Sequence, residues 1–167
     1  MRTLPRLALC AFLLAGLAPG AFAAGAPLTE QLATARSLSG GRLLYREQHL
    51  VRFVDTTPRE RLVVYRCPGG AAFARKRVDY SRAAHAPDFA LEDARSGYRE
   101  GMRSSAAGVE LFFRPRRGEA EQHALLAAAP DVADAGFDEW LRGMWDSLAA
   151  DKTLLPRFAI PSRLETL

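Results

Sequence analysis

The chain has 167 residues, 49% of them hydrophobic, with 23 Lys and Arg against 19 Asp and Glu and a formal net charge of +4. Arg2 and Arg6 belong to an expected export signal. Without them 21 basic residues face 19 acidic ones, so the basic balance gives no ground for a nucleic-acid partner.

The signal is read from the basic Arg2 and Arg6, an apolar run from Leu7 to Leu17, and Ala21-Phe22-Ala23 as an A-x-A cleavage site. The apolar run is shorter than the roughly 20 residues of a spanning helix, and Pro19-Gly20 interrupts it, so no stable membrane span is expected after cleavage. Residues 1–23 are thus expected to be removed, leaving residues 24–167 as one β-rich domain in the periplasm or outside the cell. Cys10 goes with the signal. Cys67 is then the only cysteine and no intramolecular disulfide can form, so a core of ordinary size must hold the fold.

In chain order, residues 31–38 predict a first strand, closed by the turn at Ser39-Gly40-Gly41. Residues 42–54 predict a second. Alternation puts Leu43, Tyr45, Glu47, His49, Val51 and Phe53 on one face, the more apolar one and therefore the inner one. A turn through Asp55-Thr56-Thr57-Pro58 leads to a strand at 61–67, and Pro68-Gly69-Gly70 leads to another at 71–80. Pro87 biases Ala86 toward extended backbone, which starts a strand at 88–93. Further strands are expected at 98–103, 109–114 and 122–126.

Asp131 or Asp134 is the expected N-cap of the one clear helix. Phe137, Trp140, Leu141, Met144, Trp145 and Leu148 lie at helical spacing and form its apolar face. A short strand at 157–160 ends the pattern. The fold class is mainly β (α+β): a curved antiparallel sheet of seven to nine strands, or an open β-barrel, packed on one C-terminal amphipathic helix.

Chemistry-bearing residues are few. Glu47 and His49 stand two residues apart on one strand face, about 7 Å along the strand, close enough for proton transfer. Asp88, Glu92, Asp93 and Glu100 lack calcium-loop spacing, and Arg95 and Arg99 are at hand as ion-pair partners. His49, His85 and His123 are isolated from one another, and no phosphate-loop, dinucleotide or nucleophile-elbow motif is present. No cofactor or metal site is therefore assigned.

The segments Phe73-Ala-Arg-Lys-Arg-Val78-Asp79-Tyr80, Ala86-Pro87-Asp88-Phe89-Ala90-Leu91-Glu92-Asp93 and Gly97-Tyr98-Arg99-Glu100-Gly101 resemble a group of uncharacterised exported proteins of Gram-negative bacteria. The resemblance covers most of residues 24–167, agrees with a periplasmic location, and implies no activity and no functional residue.

The leading expectation for function is a non-catalytic binding protein that takes an apolar or lipid-like ligand in a cleft between sheet and helix. Tyr45, Glu47, His49, Phe53 and Trp140 are its expected lining. Curved sheets around a helix recur among exported carriers of lipids and lipoproteins, which is an analogy at the level of fold. The alternatives are a hydrolase or isomerase using His49 with Glu47, and an envelope structural protein acting through an exposed sheet edge.

Overall fold

The computed structural model describes residues 27–167, so the expected signal segment and its cleavage site lie outside the described residues. The described chain is mostly β. Eight strands follow one another as β1 (Leu28–Arg36), β2 (Leu43–Val54), β3 (Thr57–Arg66), β4 (Ala72–Asp79), β5 (Asp88–Asp93), β6 (Tyr98–Ser105), β7 (Gly108–Arg114) and β8 (Gln122–Leu125). Each pairs antiparallel with the next, giving the order β1-β2-β3-β4-β5-β6-β7-β8. β1 and β8 do not pair with each other, so the sheet stays open.

A three-stranded sheet follows, ordered β11-β10-β9, from β9 (Val132–Ala133), β10 (Phe158–Ile160) and β11 (Glu165–Thr166). β9 runs parallel to β10, and β11 antiparallel to it. Between β9 and β10 lie a 3-10 turn, Asp134–Gly136, and the one α-helix, α1 (Phe137–Ala149).

Side-chain alternation gives the large sheet its two faces. Across the inner face runs one row of register partners, Val51, Arg61, Val78, Phe89, Met102 and Leu111, of which all but Arg61 are buried. The small sheet lies over this row. Val78, Tyr80, Phe89, Met102 and Leu111 from the large sheet pack on Ala133, Ala135 and Ala159 from the small sheet and the turn that follows β9. Methyl-sized residues on the small sheet let the two layers approach closely. The Tyr80 hydroxyl donates to the Ala135 carbonyl at 2.9 Å and pins them together.

Two glycines are required by close approach rather than by turn geometry. A Cβ on Gly101 would stand 2.1 Å from the Phe89 carbonyl oxygen and 2.4 Å from the Phe112 ring. One on Gly136 would stand 2.2 Å from the His85 carbonyl oxygen. That second contact seats the segment before α1 against the chain entering β5, where the Ala133 amide also donates to the His85 carbonyl.

Three expectations need correction. Neither Asp131 nor Asp134 caps α1, whose first residue follows Gly136 with no side-chain cap. Asp131 instead binds the backbone and guanidinium of Arg157, fixing the start of β10, and Asp134 pairs with Lys76. The segment expected at 157–160 joins the small sheet rather than extending the large one, because its free edge meets Val132–Ala133. Finally, α1 buries its apolar face only in part: Trp140, Leu141, Met144 and Leu148 are half-buried, while Phe137 and Trp145 are exposed. None of its residues is fully buried, Trp145 is 62% exposed, and the sheet holds the helix through ion pairs from Arg61 to Asp138 and Glu139. The small sheet already occupies the apolar ground that the helix was expected to cover.

A candidate ligand-binding cleft on the concave face

Beside the buried row lie two further rows, and these form the floor of a cleft. His49, Val63, Lys76, Leu91, Glu100 and Phe113 are register partners across β2 to β7. Glu47, Tyr65, Ala74, Asp93 and Tyr98 are partners in the next row out. The chain from Asp134 to Asp138 forms one wall, so the cleft lies between the sheet and the segment that leads into α1. Its volume is about 740 Å³. That is within the roughly 300–1,000 Å³ of small-molecule sites.

Aromatic rings gather at the outer end. Tyr45, Tyr65 and Phe73 stand with ring centroids 6.0 to 6.2 Å apart, and Tyr98 packs edge-on against Phe113 at 5.6 Å. Such spacing is that of tilted and edge-to-face pairs, which hold the rings in place while leaving flat apolar surface toward the cleft. The Arg95 guanidinium lies 3.7 Å from the Phe73 ring centroid and pairs with Asp93.

Charged side chains line the inner part, and most are matched. His49 Nε2 is 2.8 Å from Glu47 Oε2, with both side chains about one fifth exposed. Lys76 pairs with Asp134 across the cleft, and Arg61 with Asp138 at 3.4 Å. Glu100 differs: among the described residues it has no basic group at ion-pair distance. The Tyr98 hydroxyl hydrogen-bonds to it, while burial holds its carboxyl above the ordinary glutamate range and the nearby Asp134 charge adds to that. Burial also raises the Tyr98 hydroxyl, with the bond to Glu100 adding to it, and raises Tyr65, with Glu47 adding to it. Each effect follows from taking a charge out of water or placing it beside a like charge.

Of the residues expected to line a site, Tyr45, Glu47 and His49 meet in the cleft. Phe53 does not line it. It lies farther along β2, opposite Pro58, where a register shift between Arg52 and Phe53 breaks the regular ladder. Trp140 stacks on Phe137 at 5.7 Å and is also outside the lining, because α1 turns only Phe137 and Asp138 toward the cleft.

The sequence reading missed Tyr65, Phe73, Lys76 and Glu100. Continuing the alternation of β2 onto its neighbours finds Tyr65, Lys76 and Glu100 once the registers are known, whereas Phe73 reaches the cleft beside the register shift at Tyr65/Arg66, which alternation does not foresee. Alternation also separates the four acids that were grouped together. Glu92 faces outward to Arg75 and Arg99, Asp93 takes Arg95, and the Asp88 carboxylate accepts from the Ser104 amide. Arg99 and Glu100 are consecutive, so they point to opposite faces and cannot pair.

A second depression, of about 710 Å³, is lined among others by Leu62, Val64, Arg75, Arg77, Arg114 and Arg117. Three of those guanidinia are already engaged, Arg75 by Glu92 and Arg114 and Arg117 by the carbonyls of Gly97 and Ala94. No helix is long and apolar enough to cross a membrane, and no group of three or more metal-binding side chains occurs, both among the described residues. Comparison of the chain with protein families, with curated proteins and with solved structures found no match.

Proposed function

We propose that the protein is an exported, non-catalytic binding protein that holds a lipid-like small molecule in the concave cleft. The cleft itself carries the reading: about 740 Å³ of space with an aromatic outer end and a charged inner part. Charged groups of the inner part fix orientation, and flat apolar surface at the aromatic end supplies affinity. A lining of this kind favours a molecule with an apolar body and a polar head over a wholly apolar one. Export is supported by Arg2, Arg6, the Leu7 to Leu17 run and Ala21-Phe22-Ala23.

The neutral dye N-phenyl-1-naphthylamine tests the binding. Its fluorescence is expected to saturate at one dye per chain. Ala74 lies mid-floor between Tyr65 and Asp93, so Ala74→Trp fills the cleft and is expected to weaken binding at least about tenfold, with the circular dichroism unchanged. A linear, unsaturable signal disposes of the reading. For export, protein recovered from the periplasm is expected to begin at Ala24, and material retained in the cytosol with residues 1–23 attached counts against it.

A second reading, a hydrolase or isomerase, is favoured by one observation, the 2.8 Å Glu47 to His49 contact facing open space. Turnover of p-nitrophenyl butyrate at the rate of buffer alone, or at the same rate in His49→Ala, eliminates the esterase form of it.

A further inference from the structure

The charges around the cleft are unequal in a way that selects a ligand. Five carboxylates line it, those of Glu47, Asp93, Glu100, Asp134 and Asp138, against the three permanent cations Arg61, Lys76 and Arg95. The chain as a whole carries +4, and +2 once Arg2 and Arg6 leave with the expected signal, 21 basic against 19 acidic residues. An acidic hollow in a basic protein concentrates cations where low-dielectric walls focus the field. Within it the imbalance falls on one side chain. Asp93, Asp134 and Asp138 each pair with an arginine or lysine, and Glu47 with His49, whereas Glu100 bonds the Tyr98 hydroxyl and, among the described residues, has no basic group at ion-pair distance.

We propose that the cleft takes the cationic head of an amphipathic molecule, an alkylammonium or quaternary ammonium group, with Glu100 as its counter-ion and the Tyr45, Tyr65 and Phe73 rings against its apolar body. This rests on the cleft being a binding site. Tyr65 on β3 and Glu100 on β6 occupy adjacent rows of the floor, offset about 7 Å along the strands and three strand spacings, on the order of 14 Å, across them. That offset places a head group at Glu100 while the chain attached to it crosses the rings. Tyr98 on the same strand as Glu100 and Phe113 opposite it on β7 add ring faces beside the carboxylate, to which ammonium groups are attracted. An anionic head has no free cation to meet at this end of the floor, since Lys76 is held by Asp134 and Arg95 by Asp93.

Protonation gives a second signature. Burial is the largest effect on Glu100 and raises its carboxyl, Tyr98 on its own strand opposes the rise, Asp134 from the opposite wall adds to it, and Lys76 on β4 opposes it. A bound cation favours the ionised form, so cation affinity is expected to rise with pH through the Glu100 titration and then level off.

The test uses one C12 chain with three heads, trimethylammonium, sulfate and neutral oligo(ethylene glycol), each titrated calorimetrically into the protein below its micelle concentration. The trimethylammonium compound is expected to bind at one site, about tenfold or more tighter than the others at pH 7. Glu100→Gln is expected to bring it down to the neutral compound's affinity, and Glu110→Gln, which alters a carboxylate held by Arg103 outside the cleft, is expected to leave it unchanged. On the native protein its affinity is expected to fall on acidification while that of the neutral compound does not. Equal affinity for all three heads, tighter binding of the sulfate, or a Glu100→Gln variant that keeps the preference overturns the inference and leaves the cleft as a binding site. Saturable binding of none of them overturns both.

Discussion

A carboxylate set on the inner face of a sheet with no cation beside it makes the folded chain hold its proton to higher pH than the unfolded chain does. For Glu100, raised chiefly by burial, the folded state is therefore favoured below the titration range and loses relative stability as the pH climbs through it. Glu100→Gln removes that cost and is expected to raise the melting temperature at pH 7.5, with the gain vanishing at pH 4. A stabilised variant that no longer prefers cationic ligands is the pattern of a residue kept for binding rather than for folding. Tyr80 shows the opposite economy. Burial pushes its hydroxyl up to about 12, and it remains a donor to the Ala135 carbonyl throughout the neutral range. Tyr80→Phe leaves that carbonyl unpaired between the two sheets and is expected to lower stability by about 1–2 kcal/mol in urea titration.

At the level of elements, the apolar face of α1 and the alanines of the small sheet exchange the roles that their compositions suggest. Helical spacing of Phe137, Trp140, Leu141, Met144, Trp145 and Leu148 points to a buried face, yet four of the six are only half-buried and Phe137 and Trp145 are exposed. The two residues of β9 and the central residue of β10, all alanine or valine, are the ones fully enclosed. Hydrophobicity states what an element gains by burial, and packing order decides which element obtains it. Trp145→Ala is accordingly expected to change stability by no more than about 0.5 kcal/mol. Ala159→Asp places a carboxylate between the sheets and is expected to cost on the order of 3–5 kcal/mol or abolish folding, as read from the denaturation midpoint.

Over the whole molecule, an open meander of eight strands presents one inner face too long for a small three-stranded sheet to cover. The covered end is the core, and the uncovered end is the cleft. How much of this was legible follows from the range of the forces involved. β5 matches its expected span residue for residue because Pro87, the Phe89-Ala90-Leu91 run and Gly97 mark its ends locally. β3 begins four residues before its expected start, because Thr57-Pro58 reads as turn, and Pro58 fits within the strand only where a register shift leaves its missing amide unneeded. Tyr45, Glu47 and His49 were legible as inner-face residues from period-two alternation on one strand, while Glu100 was not, since its place beside Leu91 and Phe113 depends on two registers at once.

What the sequence determined by itself is the succession of antiparallel strands, their two faces and the single late helix, all set by spacing and turn residues within a dozen positions. Which part of the inner face stays open was decided only in three dimensions. It depends on Val132 meeting Phe158 across 26 residues, a pairing that seats the small sheet over one end of the large one and that no local pattern records.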